Sequence, residues 1–66
     1  MRTPHKIRVL LVEDHLLVRQ GLRKMLEADP AIEVVDEVGD GETAIESALR
    51  LRPTVAVIDI GLPGIN

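Results

Sequence analysis

The sequence predicts an α/β chain in the order β-α-β-α-β, built on a parallel sheet. Three observations predict it. Apolar runs rich in β-branched residues recur near positions 7–12, 32–38 and 54–60. Two segments with a helical repeat lie between them. The connections are short and carry Pro or Gly breakers. Strands alternating with helices take right-handed crossovers, so the C-terminal ends of all strands share one edge.

Ile7-Arg8-Val9-Leu10-Leu11-Val12 is nearly continuous in apolar character, as a central strand covered on both faces would be. Glu13-Asp14-His15 turns out of it. Asp14 is placed to accept backbone N–H groups at the start of the next helix. Leu16 to Ala28 has the helical period, with Val18, Leu22, Met25 and Leu26 as an apolar stripe that reads as core. Gly21 inside this helix costs roughly 1 kcal/mol against Ala, which suggests close approach to a neighbouring backbone. Asp29-Pro30 stops the helix, because the residue before a proline avoids the α region.

Ile32 to Val38 is a second strand with polar interruptions. Glu33, Asp36 and Glu37 suit an edge, where charge discourages stray pairing. Gly39-Asp40-Gly41 is a turn with Asp40 as N-cap. Glu42 to Leu51 is a second helix with the stripe Ala44, Ile45, Ala48 and Leu49, and Arg50 and Arg52 near its C-terminal dipole. Pro53 ends it. The third strand begins at Thr54, and its four apolar residues Val55-Ala56-Val57-Ile58 suit burial on both faces. Asp59 sits near its tip, and Gly61 and Pro63 then force a loop.

Composition excludes several classes. The 66 residues allow one small domain, and a chain this short buries only about 60% of its unfolded surface. With no cysteine, no disulfide framework exists, which suits a reducing, cytoplasmic setting. The core is aliphatic, since no aromatic residue is present. A net charge of −3 argues against a general nucleic-acid surface. The run from Val9 to Val12 is too short to span a membrane, so no membrane partner is expected. Residues 1–5 read as a flexible tail.

The chemistry points to the shared edge. Glu13 and Asp14 follow the first strand and Asp59 ends the third. Were these strands neighbours, three carboxylates would converge. Two of them about 4 Å apart repel by roughly 4 kcal/mol at an effective dielectric near 20. A cation relieves that repulsion, and all-oxygen carboxylate ligands suit Mg²⁺ or Mn²⁺. The pattern fits phosphoryl chemistry, with Asp59 as an oxygen nucleophile. Spacing alone leaves a plainer reading open. Glu13 and Asp14 can be a helix cap and a solvated acid, and Asp59 a strand-end turn former. His15 reads as a surface histidine in the helix's first turn, with a ligand or base as the lesser reading, and Arg19, Arg23 and Lys24 as a solvated helix face or a docking patch. No Walker loop or GxGxxG occurs.

Val9-Leu10-Leu11-Val12-Glu13-Asp14-His15, Val18-Arg19-Gln20-Gly21-Leu22 and Asp59-Ile60-Gly61-Leu62-Pro63-Gly64-Ile65-Asn66 together resemble the receiver domain of bacterial two-component response regulators, of the NarL/FixJ type. The resemblance runs from Lys6 onward. It implies a flavodoxin-like fold with sheet order 2-1-3 over this stretch. It implies that Asp59 is the phospho-acceptor, that Glu13, Asp14 and Asp59 hold Mg²⁺ with the Gly61 carbonyl, and that Asp14 is the more direct ligand. A histidine kinase or small phosphodonor would supply the phosphoryl group, and a helix-turn-helix output domain would carry any DNA binding.

A complete receiver of this family has five strands and five helices. Residues 1–66 hold the first two βα units and the third strand, without the later Ser/Thr and Lys that contact the phosphoryl group. The expectation is therefore an N-terminal receiver fragment that switches poorly and is phosphorylated slowly or not at all. Its third strand becomes an open apolar edge, which invites self-association with third strands side by side. The alternative is an inactive self-associating α/β unit with no phosphorylation. No enzymatic turnover is expected. A phosphatase-like aspartyl nucleophile is disfavoured, because Gly61 stands where a second acid would be needed.

Overall fold

The first apolar run forms β1 (Ile7–Val12) and takes the middle of the sheet, as its unbroken hydrophobicity requires. The structure is a computed structural model that describes residues 6–59. The remaining elements are α1 (Leu16–Glu27), β2 (Ile32–Val38), α2 (Gly41–Leu51) and β3 (Val55–Ile58). Both strand pairs are parallel and the order is β2-β1-β3. The chain thus steps from β1 to one side and then crosses back to the other. Two right-handed crossovers in opposite directions put the helices on opposite faces.

The core is β1 itself. Val9, Leu10, Leu11 and Val12 are at most 3% exposed, joined by Val34 and Val38 of β2. Leu10, Val12 and Val38 pack with Ala44 and Ala48 of α2. Alternation sends Val9 and Leu11 to the other face. The β1–β2 register slips between Val9 and Leu10: Val9 pairs with Val34 and Leu10 with Asp36, so Val35 is a bulge.

Asp40 caps α2 as the sequence predicts, its Oδ1 accepting from Thr43 N at 2.8 Å. The cap of α1 differs. His15 occupies that position without a side-chain capping bond, and Asp14 does not serve. At the end of α2, Arg52 is left-handed at φ 48, donating its N–H to the Ala48 carbonyl, and Pro53 prevents continuation.

Three further expectations are corrected. The third strand is not buried on both faces: Val55 and Ile58 are each 45% exposed. Among the described residues only β1 pairs with it, and neither helix lies against it. The helix stripes are only partly used. Met25 is 67% exposed rather than core, and Val18, Ile45 and Leu49 are exposed too, while Leu22 and Leu26 are half-buried. Three strands spaced about 4.8 Å make a platform about 10 Å wide, no wider than one helix with its side chains. Gly21 has no close neighbour, since a Cβ built there meets nothing within 4 Å.

One buried polar group had no sequence signal. Ser47 of α2 is 2% exposed, and its hydroxyl donates to Asp36 Oδ2 at 2.6 Å. The bulge at Val35 turns Asp36 towards this helix face, which converts an expected solvated edge acid into an internal partner.

Candidate functional site

The parallel ladder places the acidic residues. Val12 pairs with Ile58, so Glu13 and Asp59 are each the first residue beyond neighbouring strands. Their backbones extend the sheet by one bond each. Glu13 N donates to the Val38 carbonyl at 2.9 Å, and Asp59 N to the Val12 carbonyl at 3.0 Å. Glu13, Asp14 and Asp59 therefore meet at one rim. Together with His15, they each offer a ligand atom, and these atoms all lie within 4.8 Å of one another.

The members differ in environment. Glu13 is 2% exposed, an unusual place for a carboxylate. Its Oε2 accepts from the His15 backbone N–H at 2.9 Å and lies 3.0 Å from His15 Nδ1. Asp14 is half-buried at its side chain, and its Oδ1 also lies 3.0 Å from Nδ1. His15 is solvent-facing, as the sequence suggests, yet its ring leans over both acids. The hydrogen bond with Glu13, then the charge of Asp14, hold its imidazole above its ordinary pKa of 6.5, with Glu13 and Asp59 adding charge. Sequence reasoning ranked this role below that of a plain surface histidine. The signal was there: a histidine directly behind an acid pair in a strand-to-helix turn has short reach to both.

Arg19 was also misread as part of a solvated face. Its side chain is 19% exposed. Nε donates to Glu37 Oε1 at 3.1 Å, and Nη1 donates to the Glu13 carbonyl at 2.9 Å. Arg23 donates to the other oxygen of Glu37 and to Glu27. The Arg23 hydrogen bond, with Arg19 beside it, holds the Glu37 carboxyl below its ordinary value of 4.5. Gly61, expected to lend a carbonyl to the rim, lies outside the described residues.

A parallel α/β sheet with carboxylates gathered beyond its central strand and a neighbour belongs to the flavodoxin-like class, whose chemistry sits at that rim. The family model of the response regulator receiver domain matches residues 9–66, and the chain belongs to that family. In structure it is similar to the signal receiver domain of the response regulator NarL from Mycobacterium tuberculosis. The TM-score is 0.88 at 38% identity, over 92% of this chain and 49% of that one. In sequence it is 47% identical over 58 residues to the nitrate/nitrite response regulator protein NarP of Escherichia coli, covering 88% of this chain and 27% of NarP. It is 50% identical over 58 residues to protein-glutamate methylesterase/protein-glutamine glutaminase 2 of Carboxydothermus hydrogenoformans, covering 88% of this chain and 16% of that protein. The chain thus spans about a quarter or less of these curated relatives. Among the described residues no helix is long and apolar enough to cross a membrane.

Proposed function

We propose that this chain is a phospho-accepting unit of two-component signalling, in which Asp59 takes the phosphoryl group and Glu13, Asp14 and Asp59 hold Mg²⁺. The convergence of these side chains within 4.8 Å carries the proposal. The donor set fits the ion, because carboxylate oxygens are the ligands that a small, hard cation prefers. The Gly61 carbonyl is assigned as a further ligand on family resemblance. Held by these residues, such an ion would supply positive charge to offset the mutual repulsion of the acids and of an incoming phosphoryl group.

The chain's own residues divide the work. Glu13 is held by its two contacts with His15 and supplies fixed negative charge. Asp14, more open, is the direct ligand. Asp59 is anchored through its backbone bond to Val12, which sets the direction from which its carboxylate meets phosphorus. A carboxylate oxygen of Asp59 forms the new P–O bond while the donor's P–N or P–O bond breaks. The leaving group departs with the bonding pair and is protonated from solvent. The phosphoryl donor is a histidine kinase in a bacterial cytoplasm, and the output is a DNA-binding domain elsewhere in the whole protein. No turnover is assigned to this chain, although some relatives bear enzyme names.

Incubation with Mg²⁺ and acetyl phosphate, followed by intact mass measurement, tests this. The expected result is slow build-up of one phosphoryl adduct in the wild type and none in Asp59→Asn. An adduct that survives Asp59→Asn would assign the acceptor elsewhere, and no adduct in either would end the proposal.

A second reading rests on the half-exposed outer edge of β3. Among the described residues no strand pairs with that edge, which is suited to a second copy of the chain, giving self-association without phosphorylation. Size-exclusion chromatography with light scattering decides it, and a folded monomer at high concentration removes it.

A further inference from the structure

The Glu13 carbonyl is the place to begin. Its residue stands one step past β1, and the N–H partner of this peptide plane belongs to Asp14. The plane is rigid, so whatever holds the Glu13 oxygen also fixes the direction in which Asp14 leaves the strand. Among the described residues no strand donates to that oxygen. Arg19 does, through Nη1 at 2.9 Å. Arg19 lies in the opening turns of α1, its own N–H donating to the His15 carbonyl at 2.8 Å. Side chains on a helix lean towards its N-terminus, which returns this guanidinium to the rim from which the helix left.

The guanidinium is itself braced. Nε donates to Glu37 at 3.1 Å, and Glu37 is gripped from its other oxygen by Arg23. Gly39 completes the seat. A Cβ added there would stand 3.1 Å from Nη1 and 3.9 Å from both Asp14 Cα and the Glu13 oxygen. Its φ lies outside the left-handed region, so the absent side chain is a matter of space, not of backbone freedom. One planar fork thus ties α1, the end of β2 and the acidic turn together. Its positive charge is matched by Glu37, so its action on the acids is geometric.

We propose that Arg19 is a positioning residue of the acidic rim, holding the Glu13–Asp14 peptide so that Asp14 meets Glu13 and Asp59 in a metal-binding arrangement. The inference rests on the metal-site reading above. Residues that orient ligands from behind typically change metal affinity by about ten- to a hundredfold. A lysine keeps the charge but lacks the fork that serves two acceptors at once.

The test is Mn²⁺ titration of the full chain by electron paramagnetic resonance, with each variant shown to be folded by circular dichroism. Arg19→Gln and Arg19→Lys are expected to weaken Mn²⁺ binding about tenfold. Glu37→Gln and Gly39→Ala, which disturb the brace and the seat, are expected to weaken it by smaller factors. They carry the test should the Arg19 variants fail to fold. Ser47→Ala, which removes a buried bond between α2 and Asp36 rather than a contact of Arg19 or the acids, is expected to lower stability and leave Mn²⁺ affinity unchanged. Unchanged affinity across the Arg19, Glu37 and Gly39 variants, with the wild type binding normally, overturns the positioning role alone. Equal loss in Ser47→Ala overturns it too, by showing that affinity merely follows stability. A wild type with no saturable Mn²⁺ binding overturns the site reading and this inference with it.

Discussion

β1 and β3 carry nearly the same message in their side chains and meet opposite fates. Val9-Leu10-Leu11-Val12 is almost wholly buried, while Val55 and Ile58 at the two ends of β3 are each 45% exposed. Both are short, aliphatic and β-branched in character. The difference is in their neighbours. Among the described residues β1 has a strand on each side and a helix over each face, and β3 has one strand and no helix. Burial belongs to position in the sheet, and apolar composition only permits it.

The largest way to break that comparison is a pair of truncations. Leu11→Ala, at a residue 0% exposed, is expected to cost about 3 kcal/mol. Ile58→Ala, half in water already, is expected to cost about 1 kcal/mol or less. Urea unfolding followed by circular dichroism reads both. In so small a chain the first loss is expected to leave much of the population unfolded. Equal costs would mean that β3 has a cover not seen here.

Ser47→Ala sharpens the contrast on the helix side. It removes the donor to Asp36 and leaves an acid facing the α2 interface, at an expected cost of about 1–2 kcal/mol by the same measurement.

The β2 edge is held by charge where the β3 edge is open, and acid should reveal it. Glu37 is ionised more readily in the folded chain than in the unfolded one, because Arg23 and Arg19 bond its charged form. A carboxyl so depressed contributes stability above its ordinary value of 4.5, and the contribution is lost as pH falls through the folded value. Glu37→Gln is expected to cost about 1 kcal/mol at neutral pH, discounted for partial solvent screening. The gap from wild type should close below pH 4.5 in an acid series of unfolding curves. A gap that persists unchanged in acid would remove the ion pair as its cause.

Val55→Lys is expected to have the smallest effect on stability, within about 0.5 kcal/mol, as surface substitutions generally do. Its readout is association state. A charge on the open edge should reduce self-association measured by light scattering.

The alternation of strand and helix, the cap at Asp40 and the edge character of β2 could be read directly, because each depends on local pattern. The acid pair and Asp59 were legible as one rim because parallel strands leave their C-terminal ends together. Arg19 was not, and His15 only as a lesser alternative, since each looked like an ordinary polar residue of a helix start. Their roles come from reaching back across the turn, which no periodicity records. Met25 and Gly21 misled for a related reason: a stripe or a glycine signals a possible contact, not a neighbour to make it.

By itself the sequence determined the element order, the aliphatic centre and the family, since backbone propensity and short-range spacing decide those. Tertiary structure alone decided which apolar strand is covered, which arginine supports the acidic turn and how Asp36 finds Ser47. Those outcomes depend on register, on a single bulge and on the width of the sheet. They are properties of how distant segments come to rest against one another in space.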